Sequence, residues 1–381
     1  MKKIFALGII AFAALSVSSC AKDEVVSSLP EGNAITFGTY LGQDVESRGE
    51  ELTNTNFSNF GVFAFYTGQA PWSATATPNF MYNQLVEKSG TAWVYSPLKY
   101  WPTTKGDKIS FFAYAPHTTD ATTGVAVKSA NNAAAAPVIT YTITNADLET
   151  QADFVTDVLV DEIKAGDGST LDDADRTVAF VLRHELTRVA IYAKLDRDAF
   201  GTGANQTQVN IKSVKLNGAQ CWTVADYTFG TADNATGTWA PTTAGEINIA
   251  NLLNINTSVS LGGYTTSGIL LPNTTAVSLF KADQYLLLIP HGTTGLVSDG
   301  AVQMEVAYDI VTVDASLAAG HSVTSATKVI NLPAGLLKQG VAYQLNLTFG
   351  LNEIVLSATV DAWDTASDDE NVDWPKTDVL P

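Results

Sequence analysis

Side chains that could bind a metal or transfer protons are scattered along this chain of 381 residues. None of the histidines stands in a His-Glu-x-x-His pattern or at another spacing of paired metal ligands. These histidines are His117, His184, His291 and His321. The acids of the stretch 167–175 lack the Asp-x-Asp-x-Asp-Gly spacing of a calcium loop. We therefore expect isolated structural histidines, a solvated acidic linker, and no bound metal or cofactor.

The motifs of common enzyme classes are missing as well. The chain contains no Gly-x-Ser-x-Gly elbow, no phosphate-binding loop and no dinucleotide fingerprint. Its formal net charge of -18 would repel a nucleic acid backbone, and no basic patch offsets that charge. We therefore expect a structural or binding protein, not an enzyme, and no nucleic acid partner.

Arg48 suggests a different chemistry, the hydrolysis of the peptide bond that it shares with Gly49. It follows a strand-like stretch in which Ile35, Phe37, Thr39 and Leu41 fall on one face of a period-two pattern. An accessible protease site so close to a core-type strand raises the hypothesis that this strand is removed. The alternative is an ordinary exposed loop arginine that pairs weakly with a neighbouring glutamate.

The first 19 residues have the form of an export signal. Lys2 and Lys3 precede an apolar stretch from Ile4 to Leu15, and small residues follow before Cys20. The apolar stretch is too short to span a membrane, and no later stretch reaches about 18 uninterrupted apolar residues. We therefore predict that residues 1–19 are a signal peptide.

Cys20 and Cys221 are the only cysteines of the chain. A disulfide between them is one alternative, but Cys20 lies where cleavage of the signal is expected. The stretch from Leu15 to Cys20 resembles the lipobox of bacterial lipoproteins, in which the cysteine thiol is acylated and becomes the new N-terminus. We expect Cys221 to be a buried, small, apolar residue.

The composition favours β-structure. Apolar residues make up 46% of the chain and charged residues only 16%, which argues against disorder. The abundant Thr, Val, Asn and Gly residues favour strands and turns. The candidate strands include 35–41, 60–66, 93–95, 109–114, 138–143, 154–160, 178–182, 189–192, 209–216, 268–271, 285–289, 302–310, 329–332, 343–351 and 354–363. No long amphipathic helix is visible, so we predict an all-β protein of two β-sandwiches.

A change of composition suggests where the chain divides. The stretch 166–173 is acidic and rich in glycine, and apolar strands resume after it. We therefore predict a tether and first strand over 20–48, one domain over 49–175, a second domain over 176–363, and an acidic tail over 364–381.

The whole pattern resembles the fimbrillins, the subunits of type V pili of Bacteroidota. Each motif is loose, and their order over nearly the whole chain makes the resemblance specific. The residues that carry it are the lipobox ending at Cys20, Ile35–Phe37 before Arg48 and Gly49, Phe60–Phe65, Tyr95–Pro102, Ile109–Pro116, Phe180–Val189 and Val360–Trp363.

The resemblance implies a fold and a precursor. The fold would be two tandem transthyretin-like Greek-key β-sandwiches. The precursor would be a lipoprotein, anchored through Cys20 to the outer membrane and directed to the cell surface by the residues 21–24. An Arg-specific protease would cut between Arg48 and Gly49 and remove the first strand.

The resemblance also implies how subunits join. The C-terminal strand of another pilin subunit would fill the groove that the removed strand leaves, in a homo- or hetero-polymer. The candidate donor residues are Ile354, Leu356, Ala358, Val360 and Ala362. The implied role is a subunit of a fimbria that serves adhesion and biofilm formation through a receptor on a host or bacterial surface.

Two alternatives stay open. The C-terminal strand could pair only within its own domain, because residues 364–381 extend past it. The protein could also be a monomeric, membrane-anchored lipoprotein that binds glycans on a platform of aromatic residues. The candidate aromatic residues are Tyr66, Trp72, Tyr82, Trp93 and Trp101.

Overall fold

The computed structural model describes residues 33–41, 52, 57–119, 124–163, 176–197, 206–271, 274–350 and 353–361. These residues form strands and turns, with short 3-10 helices at Leu148–Thr150 and Ile249–Asn251. The predicted all-β class is therefore confirmed. No helix in the described part of the chain is long and apolar enough to cross a membrane.

The strands are numbered in chain order. The first nine are β1 Thr36–Leu41, β2 Asn59–Gly68, β3 Met81–Ser89, β4 Ala92–Val94, β5 Lys108–Ala115, β6 Val125–Val127, β7 Val138–Thr142, β8 Val155–Glu162 and β9 Thr177–His184. The next seven are β10 Thr187–Leu195, β11 Thr207–Asn217, β12 Trp222–Thr228, β13 Thr238–Ala244, β14 Ile247–Asn248, β15 Asn256–Leu261 and β16 Tyr264–Leu271. The last six are β17 Val277–Ser278, β18 Leu286–Leu288, β19 Gln303–Val313, β20 His321–Asn331, β21 Ala342–Phe349 and β22 Ile354–Asp361.

A seven-stranded sheet contains the first strand. Its order is β1-β9-β8-β5-β2-β3-β4, with β1 at one edge and β4 at the other. The sheet curls so strongly that β1 also lies close to β4, and Ala34 forms a bridge with Tyr100 just beyond that strand. The first strand therefore closes a curled sheet.

The middle strands of this sheet are apolar on both faces. In β2, the residues from Phe60 to Phe65 are all buried, as the absence of alternation in the sequence predicts. Gly61 is required at its position because a Cβ there would lie 2.3 Å from Cε1 of the Tyr114 ring. One face of the sheet contributes to a core inside the curl, and the other contributes to the main core of the molecule.

A four-stranded sheet joins the two halves of the chain. Its order is β13-β12-β7-β6, so that two strands come from residues 125–142 and two from residues 222–244. The strand β9, at 177–184, pairs with β8 and β1 of the first sheet. The division predicted between residues 175 and 176 therefore does not separate the sheets. An acidic, glycine-rich stretch is compatible with a loop between neighbouring strands as well as with a linker.

The C-terminal half supplies the remaining two sheets. One has the order β17-β10-β21-β22, with β18 also paired to β10, and the other has the order β15-β16-β11-β19-β20, with β14 paired to β11. Their apolar side chains share the main core with the outer face of the first sheet. The arrangement of two separate Greek-key domains stays a prediction.

Candidate functional site

The first strand is a buried strand at the edge of its sheet. All six residues of β1 pair with β9 in parallel, from Thr36 opposite Thr177 to Leu41 opposite Leu182. Ile35, Phe37 and Leu41 are only 1%, 5% and 2% exposed. The alternation predicted for these three residues therefore corresponds to one inward face.

Phe37 occupies the centre of an aromatic cluster. Its ring centroid lies 5.2 Å from that of Tyr95, 5.9 Å from that of Phe60 and 6.0 Å from that of Phe180. Phe111 completes the cluster at 6.3 Å. These separations are those of favourable aromatic pairs, so the side chain of Phe37 is integrated into the core.

Hydrogen bonds attach the beginning of the strand to the segment after β4. The amide of Ile35 donates to the carbonyl of Lys99 at 2.9 Å, and the amide of Trp101 donates to the carbonyl of Asn33 at 2.9 Å. The hydroxyl of Tyr95 donates to the carbonyl of Ile35 at 3.0 Å. Burial raises the pKa of Tyr95 to about 12, so this phenol remains a proton donor at neutral pH.

Loss of the first strand would leave an apolar groove. Burial of three such side chains contributes about 5 to 9 kcal/mol, as an upper figure, before the entropic cost of ordering the strand. The uncovered surface would include Phe60, Phe111 and Phe180, together with the free edge of β9. An exposed apolar groove beside an unpaired strand edge is a template for another strand.

The last strand is held differently. All eight residues of β22 pair with β21 in antiparallel register, and β22 forms the edge of its sheet. Among its described side chains only Ala358 is buried, at 6% exposure. Ile354, Leu356 and Val360 are half-buried and pack against the main core.

Several predicted site residues lie outside the described residues. Cys20, Arg48, Gly49 and Ala362 are among them, so the lipid attachment and the cleavage site stay predictions. Cys221 is buried, as predicted, and burial raises the pKa of its thiol to about 12. No cluster of metal-binding side chains occurs within the described ranges.

The three tryptophans of the glycan-binding alternative do not form one platform. Trp72 packs against the main core, where its ring lies 5.3 Å from that of Phe112. Trp93 and Trp101 instead belong to the core inside the curled sheet. Because the two cores lie on opposite faces of that sheet, these rings cannot contact one ligand together.

A buried polar junction connects the sheets that carry the two edge strands. Glu185 lies between β9 and β10, is 2% exposed, and accepts hydrogen bonds from the Thr156 hydroxyl at 2.5 Å and from the Gln339 amide. Its backbone carbonyl accepts a hydrogen bond from the Trp239 indole at 3.0 Å. Burial raises the pKa of Glu185 to about 7.

A second buried acid lies next to this junction. Asp153 Oδ2 lies 2.8 Å from Nδ1 of His184. The same oxygen accepts a hydrogen bond from the amide of Leu52 at 3.2 Å. The chain is therefore attached to the junction four residues after Arg48.

Sequence patterns did not identify these partners. The residues that line the groove and the junction are separated from β1 by up to about 300 positions, and periodicity reports only which residues share a face. The tract from His184 to Arg188 offered the one local signal, because it places polar residues between two apolar strands.

Known proteins match this chain along most of its length. A sequence profile described as fimbrillin-like matches residues 48–363, so the chain belongs to the fimbrillin-like family. Fimbrium subunit Fim1C of Phocaeicola vulgatus is 30% identical, with 94% of this chain and 96% of that protein covered. The crystal structure of a fimbrial protein from Bacteroides vulgatus is similar at a TM-score of 0.72 and 26% identity, over 87% of this chain and 99% of that one.

Membership of this family has two consequences. It confirms the resemblance that the sequence motifs indicated, and it confirms the β-sandwich class. It also identifies the chain as a structural protein of the fimbrial type and not an enzyme, as the missing catalytic motifs predict.

Proposed function

We propose that this protein is a structural subunit of a cell-surface fimbria and that it polymerises by strand exchange, in service of adhesion and biofilm formation. Membership of the fimbrillin-like family supports the fimbrial role and assembly with other pilin subunits. The exchange mechanism is supported by one observation above all: the first strand fills an apolar groove at the edge of its sheet. Arg48 follows that strand in the sequence.

Cleavage between Arg48 and Gly49 by an Arg-specific protease is the activating step. It would disconnect β1 from the rest of the chain while leaving the core strands of its sheet intact. Before cleavage, β1 covers Phe60, Phe111 and Phe180 and so protects the subunit from premature association. The precursor would remain at the outer membrane through lipidated Cys20, and cleavage would release the subunit from that anchor.

The last strand of a neighbouring subunit is the proposed replacement. It has apolar residues at every second position, and the first strand has Ile35, Phe37 and Leu41 on its inward face, with Thr39 between the last two. Its eight residues are more than sufficient to cover the six-residue edge of β9 that β1 occupies. Its present pairing with β21 leaves three of its apolar side chains only half-buried, so deeper burial in the groove would favour transfer.

The test is controlled cleavage of the purified precursor with an Arg-specific protease. We expect the new N-terminus to be Gly49 and ladders of oligomers to appear on a gel without heating. The matched control is Arg48→Ala, which should remain monomeric under the same treatment. Persistent monomers after confirmed cleavage at Arg48 would contradict the exchange mechanism.

A truncated chain separates the two roles of a subunit. A chain that ends at residue 353 lacks the proposed donor strand but keeps the groove. After cleavage it should accept the donor strand of an intact subunit and terminate the polymer at that end. Growth of long ladders from the truncated chain alone would show that another segment is the donor.

A further inference from the structure

The strand β20 has a long free edge in the C-terminal half. Its eleven residues, His321–Asn331, pair one to one with β19 without any irregularity of register. No strand of the described chain pairs with its opposite side. Part of β22 lies near β20 but pairs with β21, so this edge is distinct from the edges formed by β1 and β22.

Features that normally protect such an edge are nearly absent. Proteins block free edges with proline, bulges or charged side chains. This strand has no proline and no bulge, and Lys328 is its only Lys, Arg, Asp or Glu residue. Val323 and Val329 are 39% and 45% exposed on the outer face. The edge is therefore suited to pairing.

The direction of the backbone groups follows from the neighbouring hydrogen bonds. Val313 of β19 donates its amide to Gln206, on the side of β11, and Leu332 donates its amide to Val302 of the segment leading into β19. Successive residues of an antiparallel strand direct their backbone groups to opposite sides. Since Leu332 directs its amide towards the β19 side, the even-numbered residues of β20 face β19, and the odd-numbered residues direct their amides and carbonyls to the free edge. Val323, Ser325, Thr327 and Val329 are the central ones.

The lack of acidic residues along this edge permits another copy of this chain as the partner. The chain carries 39 acidic residues and a formal net charge of -18, so two copies repel each other over most orientations. The stretch 315–352, which contains β20, has no Asp or Glu. Glu305 and Asp309 lie one strand behind the edge, opposite Val329 and Ser325. Contact through the edge itself therefore places no carboxylate directly opposite another.

We propose that the free edge of β20 pairs with the same edge of a second copy, in antiparallel register around a two-fold axis at Ala326. In this register Val323 lies opposite Val329 and Ser325 lies opposite Thr327 of the other copy. All of these are odd-numbered residues whose backbone groups face the edge, so the hydrogen bonds match. Val-Val contacts across the strands stabilise such a pair.

The same register avoids repulsion between like charges. Lys328 lies opposite Thr324 and not opposite the second Lys328. A two-fold contact of this kind uses the same surface on both subunits, so it joins two subunits and does not build a longer polymer. In a fimbria it would connect subunits of adjacent filaments side by side.

The first experiment measures association of the chain 21–381, which omits only residues before the described part. This chain keeps β1, so association through the groove of the proposed exchange is blocked. Sedimentation velocity over a concentration series should show a reversible dimer. Thr327→Pro removes one edge-facing amide from each copy, keeps the pairing with β19, and should weaken the dimer about tenfold or more.

Thr327→Ala is the matched control, because it keeps the amide and should dimerise like the parent chain. A chain that stays monomeric up to its solubility limit would overturn the proposal. A dimer that Thr327→Pro leaves unchanged would overturn it equally, provided that circular dichroism shows the variant folded.

The second experiment tests the register and does not depend on a proline variant. Ala326→Cys places two cysteines opposite each other at the axis, with a Cα separation of about 4.5 Å, which suits a disulfide. We expect a covalent dimer on mild oxidation. Thr324→Cys, which would lie opposite Lys328, is the control and should remain monomeric under the same conditions. Equal cross-linking of both variants would exclude this register.

Discussion

The first and last strands of this protein both form sheet edges, but they are held to different degrees. The first, β1, lies between β9 and the segment 99–101, and three of its apolar side chains are almost fully buried. The last, β22, is hydrogen-bonded to one strand, β21, and among its described side chains only that of Ala358 is buried.

This difference indicates what each strand needs in order to leave. The first strand closes a core, so its departure carries a large cost in free energy and calls for an irreversible step such as proteolysis. The last strand loses less apolar burial when it detaches, so exchange without cutting is accessible to it. The strand proposed for removal is thus the better buried of the two, and the strand proposed for donation is the less buried.

The largest expected effect is at the centre of the first strand. Phe37→Ala should lower the free energy of unfolding of the uncleaved chain by about 3 to 5 kcal/mol, because the cavity cannot close around the four remaining rings. Denaturant unfolding followed by tryptophan fluorescence measures this. Tyr40→Ala, whose side chain is 51% exposed, is the control and should change stability by no more than about 0.5 kcal/mol. Equal effects would mean that β1 is not integrated into the core.

The second effect concerns the junction that links the partners of the two strands. The folded-state pKa of Glu185, about 7, exceeds the usual 4.5. As the pH rises, the carboxyl therefore loses its proton in the unfolded chain before it does so in the folded chain. The neutral carboxyl makes its full contribution to stability below pH 4.5, and this contribution is lost as the pH rises through 7. The contribution of Glu185 to the free energy of unfolding should therefore be about 3 kcal/mol larger at low pH than above pH 7.

Glu185→Gln should remove this part of the pH dependence. The measurement is the free energy of unfolding between pH 4 and 8, in the variant and in the parent chain. In the variant, the oxygen of Gln at position 185 can accept from the Gln339 amide, and its NH2 can donate to the Thr156 hydroxyl, so both contacts can be kept. Glu149→Gln, which loses only an ion pair with Lys281 at the surface, is the control and should still lose stability as the pH rises through 7. A parent slope that survives Glu185→Gln would assign the titration to another group.

The third effect is a smaller loss in the last strand. Leu356→Ala should destabilise the chain by about 1 to 2 kcal/mol, less than a fully buried leucine, because this side chain is half-buried. The same denaturant measurement applies. Ser357→Ala, on the exposed side of the strand, is the control. A loss as large as that of Phe37→Ala would remove the difference between the two strands.

The smallest effect strengthens the first strand. Gly38 has an ordinary strand conformation, and a Cβ there would meet only Thr177 Cγ2 at 3.4 Å. Gly38→Ala should therefore stabilise the uncleaved chain by about 0.5 kcal/mol, by reducing the freedom of the unfolded state. After cleavage at Arg48, the same variant should release β1 more slowly. Gly90→Ala, at a positive φ of 62°, is the contrasting change and should destabilise.

The sequence predicted the local features of this molecule well. The alternation of Ile35, Phe37 and Leu41 indicated their inward face, and the continuous apolar run at Phe60 indicated a strand covered on both sides. The parallel partner of β1 lies about 140 residues away, and no periodic pattern encodes such pairing. For the same reason, the change of composition near residue 175 did not show that β9 joins the sheet of the first half, and the domain division at that position stays a prediction.

The site was only partly accessible to sequence reasoning. Phe37 could be placed on a buried face, but its contacts with Tyr95 and Phe180 depend on the curl of the sheet. Nothing in the local sequence of Glu185 showed that Thr156 and Gln339 would surround it. Burial of a carboxyl is decided by packing between distant segments, which a single sequence does not report.

The lengthwise position of β1 along β9 has a mechanical consequence. A donor strand in the same place would be pulled along its own axis when the filament is under tension. All pairs of the six-residue ladder would then be sheared together, whereas a strand peeled from one end loses its pairs one after another. A joint of this kind resists stretching of the filament far better than it resists sideways tearing.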